Sequence, residues 1–163
     1  MSQSNKKKKE GSQASKGFGK SQVKRSNQES NQEKQALDLI NQGKLNEAEA
    51  IYRTLIHEGT KNHISYGNLA ALCGIKKKPD EMITLLRKAL QLNPNYEDAH
   101  NNLGIALQEQ GDFKAAIDSY KQAIQLNPNH INAHYNLGNA LKAQGDLKAA
   151  INSFQQAIQL NPN

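Results

Sequence analysis

The chain has no tryptophan, one cysteine, two methionines and four prolines in 163 residues, and only 5% of it is aromatic. A single cysteine, Cys73, excludes an internal disulfide framework. It falls at a packing position of a helix and reads as a small buried apolar residue. No stretch approaches the roughly 18 apolar residues that a membrane-crossing helix needs. No apolar run follows the first lysines, so the start does not read as a secretory signal. Also missing are a Ser-His-Asp order, paired cysteines and an acidic pair with a pocket to serve. Taken together these absences lead us to expect a cytoplasmic, non-enzymatic protein with no cofactor, no small-molecule substrate and no membrane span.

What is present is a period. Glu97–His130 reads EDAHNNLGIALQEQGDFKAAIDSYKQAIQLNPNH, and Ile131–Asn163 reads INAHYNLGNALKAQGDLKAAINSFQQAIQLNPN; 23 of the 33 aligned positions are identical. A 34-residue repeat marks a solenoid of stacked units. Each unit reads as two helices. The first is expected from about Glu97 to Gln110, closed by Gly111 in the left-handed conformation. Asp112 is placed to cap the second helix, which runs to about Leu126 and stops at Asn127-Pro128-Asn129. Gly145, Asp146 and Asn161-Pro162-Asn163 repeat the scheme. His100, Leu103, Gly104 and Leu107 follow the helical period, as do Ala116, Tyr120 and Ala123, so each helix carries one buried stripe. Gly104 and Ala116 allow close approach, and Tyr120 fills the space beside them.

This pattern resembles the tetratricopeptide repeat (TPR) family. The family has a large residue at repeat position 4, Leu at 7, Gly or Ala at 8, an apolar or aromatic residue at 11, Ala at 20, an aromatic at 24, Ala at 27 and Pro at 32. His100, Leu103, Gly104, Leu107, Ala116, Tyr120, Ala123 and Pro128 match it, as do His134, Leu137, Gly138, Leu141, Ala150, Phe154, Ala157 and Pro162. His63–Tyr96 matches more loosely through Tyr66, Leu69, Ala70, Cys73, Leu86, Ala89 and Pro94. Met82 stands there in place of Ala, and Lys77 in place of the inter-helix Gly. Gly67 and Gly74, inside its first helix, each cost roughly 1 kcal/mol relative to Ala, so this unit is expected to be the weaker. Glu29–Asn62 keeps Ala36, Leu39, Gly43, Ala48, Tyr52 and Leu55, but Gln32 and Gln35 are polar and Thr60 replaces Pro. It suits an N-terminal capping unit with one wet face. The resemblance implies an all-α solenoid of stacked antiparallel helix pairs, a TPR superhelix similar to bacterial TPR arrays and to the TPR region of O-linked N-acetylglucosamine transferases. Its expected parts are a tail over 1–28, a divergent unit over 29–62, and TPR units over 63–96, 97–130 and 131–163.

The net charge of +6 is unevenly placed. Residues 1–28 carry eight basic side chains and one acidic one; the rest hold 13 basic and 14 acidic, a net of −1. The tail is too polar to offset its ordering entropy and reads as disordered. Three roles are open to it: a solubilising extension, attraction to nucleic acid or anionic lipid, or an arm for an acidic partner. Any nucleic-acid binding is expected only through it. Ala14–Ser21 (ASKGFGKS) approaches a phosphate-binding loop, but the strand and helix that would aim its N–H groups are missing. His130 and His134 are four apart, which is half a metal site with nothing placed to complete it. His134 shares the packing position of His100.

Comparing the chain with itself locates a surface. The first helices of the last two units differ at positions 1, 2, 5, 9, 12 and 13, and all but the first cluster on one face, opposite the packing stripe. In the TPR family that face lines the concave groove where peptides bind. It carries Asp98, Asn101, Ile105, Gln108 and Glu109 in one unit, and Asn132, Tyr135, Asn139, Lys142 and Ala143 in the next. Position 6 beside it is Asn68, Asn102 and Asn136. A row of carboxamides can pair with the N–H and C=O of an extended peptide; helix packing or solvation is the other reading. The Lys and Arg clamp of chaperone-tail adaptors is not matched, since positions 2 and 5 hold Ile64, Gly67, Asp98, Asn101, Asn132 and Tyr135. The function expected is protein–protein interaction through a bound peptide or protein segment. The alternative is the N-terminal array of a longer enzyme such as a glycosyltransferase. No polar helix follows Ile151, Phe154, Ala157 and Ile158, so a continuing array or self-association through this end is also expected.

Overall fold

The computed structural model describes residues 25–162. Among these, eight helical segments and no strand occur: α1 over 25–41, α2 Leu45–His57, α3 His63–Ile75, α4 Pro79–Leu92, α5 Glu97–Glu109, α6 Phe113–Leu126, α7 Ile131–Gln144 and α8 Leu147–Leu160. The fold is the all-α helix-pair repeat that the period implied. Residues 25–28 are already helical, so the tail expected through Gln28 is too long at that end: Arg25 pairs with Glu29 at 3.1 Å, one turn on. The rest of the basic tail, with its loop-like ASKGFGKS segment, lies outside the described residues.

Two compact units divide at Leu55 and Ile56. In the first, Gly43 at φ +74 turns the chain between α1 and α2, and Ala36, Ala48, Tyr52 and Leu55 are fully buried. Gln35 is exposed and Gln32 half-buried, with its Oε1 buried and unpartnered among the described residues.

The second unit holds three helix pairs, α3/α4, α5/α6 and α7/α8, each packed on the next. First helices of successive pairs also touch, α3 with α5 and α5 with α7, and no comparable contact joins α4 with α6 or α6 with α8. The stack therefore closes toward its first helices, which makes that side concave. The helix ends follow local chemistry. Asp112 and Asp146 each accept an N–H at 3.0 Å, from Ala115 and Ala149, a cap of about 1 kcal/mol. Gly111 and Gly145 take φ of +82 and +93.

Within the α5/α6 and α7/α8 pairs the spacing is set by a ring on a glycine. A Cβ on Gly104 would stand 2.5 Å from Tyr120 Cε1, and one on Gly138 would stand 2.5 Å from Phe154 Cε1. Both are far inside van der Waals contact. Gly67 is held the same way, 2.7 Å from Tyr96 Cε1 for a built Cβ, and Gly74 meets Met82 Sδ at 3.1 Å. The two glycines that cost α3 helix propensity thus let neighbouring side chains close in. Lys77, in place of the usual glycine, adopts φ +54; a side chain there costs roughly 1–2 kcal/mol.

Burial runs further round the first helices than the packing stripe implied. Ala99, Ala106, Ala133 and Ala140 are all buried to 1% or less. Ala99 and Ala106 lie on the far side of α5 from Gly104, where α5 meets α6 of its own pair, so the preceding pair covers them. α5 and α7 are therefore each sandwiched between the preceding pair and their own second helix, and left open along the groove.

Gly104→Leu is expected to lower unfolding free energy by about 1–3 kcal/mol or more through overpacking against Tyr120. Urea denaturation checks this, and an unchanged midpoint contradicts the close contact. Lys77→Gly is expected to do the reverse, raising stability by about 0.5–1 kcal/mol once strain relief is set against the freer unfolded chain. A lower melting temperature would show that the positive φ is not a strain.

Candidate functional site: the groove of the first helices

The sequence-derived groove residues fall on the open face of α3, α5 and α7. Asp98 and Glu109 are exposed on α5, with Asn102 and Ile105 half-buried beside them. Asn132 and Lys142 are exposed on α7, Tyr135 is 55% exposed, and Asn136 and Asn139 are half-buried. Asn68 is half-buried on α3. Asn101 is the exception, at 6% exposure.

The reason is an amide relay between pairs. Asn136 donates its Nδ2–H to Asn101 Oδ1 at 3.0 Å, and Asn101 donates in turn to Asn102 Oδ1 at 3.4 Å. The asparagines are thus not independent ligands along an open row: two of them are bridged by a neighbour at position 5. A carboxamide has two donor hydrogens and two acceptor lone pairs, so Asn102 and Asn136 keep further bonding capacity. Asn139 and Lys142 make no side-chain hydrogen bond to other described residues, which leaves their polar groups to solvent or a ligand.

A second tie crosses the groove wall. The backbone N–H of Ala133 donates to His130 Nδ1 at 3.3 Å, which caps α7. With Nδ1 accepting, the ring proton sits on Nε2, which lies 3.2 Å from Asp98 Oδ1. His130 therefore joins the start of α7 to the start of α5. Tyr96 holds the same repeat position one unit earlier. Its ring covers Gly67 and meets the edge of His63 at 5.0 Å between centroids. The residue after each Asn-Pro-Asn thus closes over the first helix of its own unit. Sequence reasoning missed this role; the signal was a ring-bearing residue, Tyr or His, at both boundaries.

The other histidines are placed by backbone. His100 and His134 set Nε2 3.0 Å from the carbonyls of Pro94 and Pro128. No cluster of three metal-ligating side chains exists among the described residues. Likewise no described helix is long and apolar enough to cross a membrane.

At the C-terminal end of the groove a cleft of about 440 Å³ opens between α7 and α8. Asn132 and Tyr135 line it together with Ile131, Phe154, Ala157 and Ile158. The Tyr135 ring leans on Phe154 at 5.7 Å. The α8 side of this cleft was read from sequence as an uncapped packing surface, not as a site.

One groove-side group is perturbed. The Tyr120 phenol is pushed well above the ordinary tyrosine range, first by burial and then by the negative charge of Glu109. Its hydroxyl lies 3.3 Å from Gln108 Oε1 and donates to it.

Comparison with known proteins agrees with this fold. The family model described as TPR repeat matches residues 78–111 and 107–145, and that described as Tetratricopeptide repeat matches 131–163. Among solved structures, a crystal structure of MamA superposes at TM-score 0.75 with 23% identity, covering 82% of this chain and 78% of that one. A further MamA structure, from MSR-1, gives TM-score 0.67 and 25% identity over 78% of this chain and 73% of that one. YrrB, described as a TPR protein with an unusual peptide-binding site, gives TM-score 0.70 and 20% identity over 78% of this chain and 66% of that one. No curated protein sequence matches the chain.

Because its folded phenol titrates above the unfolded value near 10.0, Tyr120 contributes stability that is fully present below that pH. That contribution is lost as pH rises past it, where the unfolded chain ionises first. Unfolding midpoints measured from pH 8 to 11 should therefore fall more steeply for the wild type than for Tyr120→Phe. Parallel curves would show that the phenol is not held neutral by the fold.

Proposed function

Since the chain belongs to the tetratricopeptide repeat family, we propose that it is a protein-interaction scaffold whose ligand is an extended peptide or protein segment held along the open face of α3, α5 and α7. The observation that carries this is the coincidence of variation with exposure. In the two best-matched units, the first-helix positions that stay identical include Ala99, Gly104, Ala106 and Leu107, all buried. The differing positions include Asp98, Glu109, Asn132, Tyr135 and Lys142, all exposed. A scaffold needs the first set for stacking and uses the second for recognition.

The recognition chemistry is mixed. Asn68, Asn102 and Asn136 offer donors and acceptors to a peptide backbone; Ile105 and Tyr135 offer apolar contact. Asp98 and Glu109 on α5 stand against Lys142 on α7, so a segment with a basic group toward α5 and an acidic group toward α7 would fit. YrrB, of the same fold, is described as peptide-binding, which supports the reading by analogy only. We take the protein to work without catalysis, in the cytoplasm, with the basic N-terminal tail free to add a salt-sensitive contact to an acidic partner or nucleic acid.

Selection of displayed, unstructured 12-residue peptides on the full chain tests this. Peptides that bind should lose at least tenfold in affinity on Asn102→Ala with Asn139→Ala, while the melting temperature stays close to wild type. If stability falls in step with affinity, the asparagines are structural; if selected peptides ignore both substitutions, the groove is not their site.

A further inference from the structure

The first helices differ in charge class from one to the next. α3 holds no Asp, Glu, Lys or Arg. On its groove face Ile64 is 43% exposed, Ile75 is 63% exposed, and Ala71 is exposed between them. α5 holds acids and no Lys or Arg; Asp98 in its first turn and Glu109 at its end are both exposed. α7 holds no acid, and Lys142 is its one Lys or Arg. Glu109 and Lys142 are of opposite sign at adjacent repeat positions on neighbouring helices. Even so, neither makes an ion pair or a side-chain hydrogen bond with a described residue. Asp98 meets His130 through Oδ1, and its side chain is still 64% exposed.

We infer, resting on the groove reading above, that the bound segment carries two adjacent apolar residues over α3 and, three positions along, two adjacent basic residues over α5. The spacing comes from the stack. Packed helices stand about 8–10 Å apart, and an extended chain rises about 3.3 Å per residue. A segment crossing the groove therefore spends about three residues on each first helix. Its consecutive side chains point to opposite sides, one toward the rim of helix starts and the other toward the rim of helix ends. On α3 both rims are apolar, Ile64 at one and Ile75 at the other. On α5 both are acidic, with Asp98 about 6 Å and Glu109 about 10 Å from Asn102 along the axis at about 1.5 Å per residue. Lys and Arg have the long stems needed to reach rims at that distance. Adjacent pairs thus satisfy both rims at each helix. The order is fixed by like-charge repulsion. Lys76, Lys77 and Lys78 follow Ile75 directly, and Glu81 pairs with the last of them at 3.8 Å. A cation over Ile75 would face that run, and one over α7 would face Lys142. An acidic segment would set its charges against Asp98 and Glu109.

The test uses the full chain and fluorescent, end-blocked 12-residue peptides. The first is GSLLSKKSGSGS. The second is its reverse, SGSGSKKSLLSG, because the rims present the same rows in either chain direction. The third, KSGLSGSKSLGS, keeps the composition and breaks both pairs. The expected result is saturable anisotropy for the first or second, at least tenfold tighter than for the third. That binding should weaken several-fold between about 0.05 and 0.5 M salt. Glu109→Lys, which leaves the Asp98–His130 tie in place, should weaken it at least fivefold and favour a version with Asp-Asp for Lys-Lys. Ile64→Ser plus Ile75→Ser should weaken it at least fivefold without changing its salt dependence. All three positions are exposed, so circular dichroism should show the fold intact. Three outcomes overturn the inference: equal affinity for the third peptide; a preference for lysine that survives Glu109→Lys; or no saturable binding of either patterned peptide up to millimolar concentration. Displayed peptides that lose affinity on Asn102→Ala with Asn139→Ala but lack this pattern overturn it and leave the groove reading standing. Peptides that ignore those asparagines overturn both.

Discussion

Everything else in the last two repeats depends on two helices coming close enough for a ring to lie directly on a backbone. Tyr120 over Gly104 and Phe154 over Gly138 leave no room for a Cβ. That contact sets the separation within each of these two pairs. The ring is then both wedge and floor: Tyr120 is 1% exposed beneath α7. Phe154 forms one wall of a cleft. One contact, repeated, decides whether a surface is core or site.

From that spacing follows the sandwiching of the first helices. Once α5 and α7 are held between the preceding pair and their own second helix, their alanines vanish into the stack and their one free strip becomes the groove. The ties across the groove are polar and local. His130 bridges to Asp98, and Asn136 reaches Asn101. Such inter-pair bonds orient neighbouring units and engage two of the variable side chains, Asp98 and Asn101, while Glu109, Asn132 and Lys142 stay exposed. Stacking thus rests on apolar burial, and recognition on polar residues that burial does not constrain.

Much of this was legible without coordinates. The aspartate caps, the closing glycines and the Asn-Pro-Asn stops act over one turn of chain, so local chemistry fixes them. Gly104 and Tyr120 were readable as partners because the same pairing recurs as Gly138 and Phe154. The second buried face, of Ala99, Ala106, Ala133 and Ala140, was not read. An alanine carries too little apolar weight to mark a stripe, and its burial comes from a different pair. Asn101 was read as groove-lining for the same reason: its partner Asn136 lies a full repeat away. Nor did the pattern show that Tyr96 and His130 fold back over their own units.

The sequence by itself determined the period, the helix ends, the glycine–ring pairs and the face on which the units differ, since each rests on residues within one repeat. Tertiary structure alone decided which of those faces is covered. Burial belongs to the stack: Ile117 and Ile151 hold the same position in near-identical helices, and only the presence of α7 against the first makes one core and the other surface.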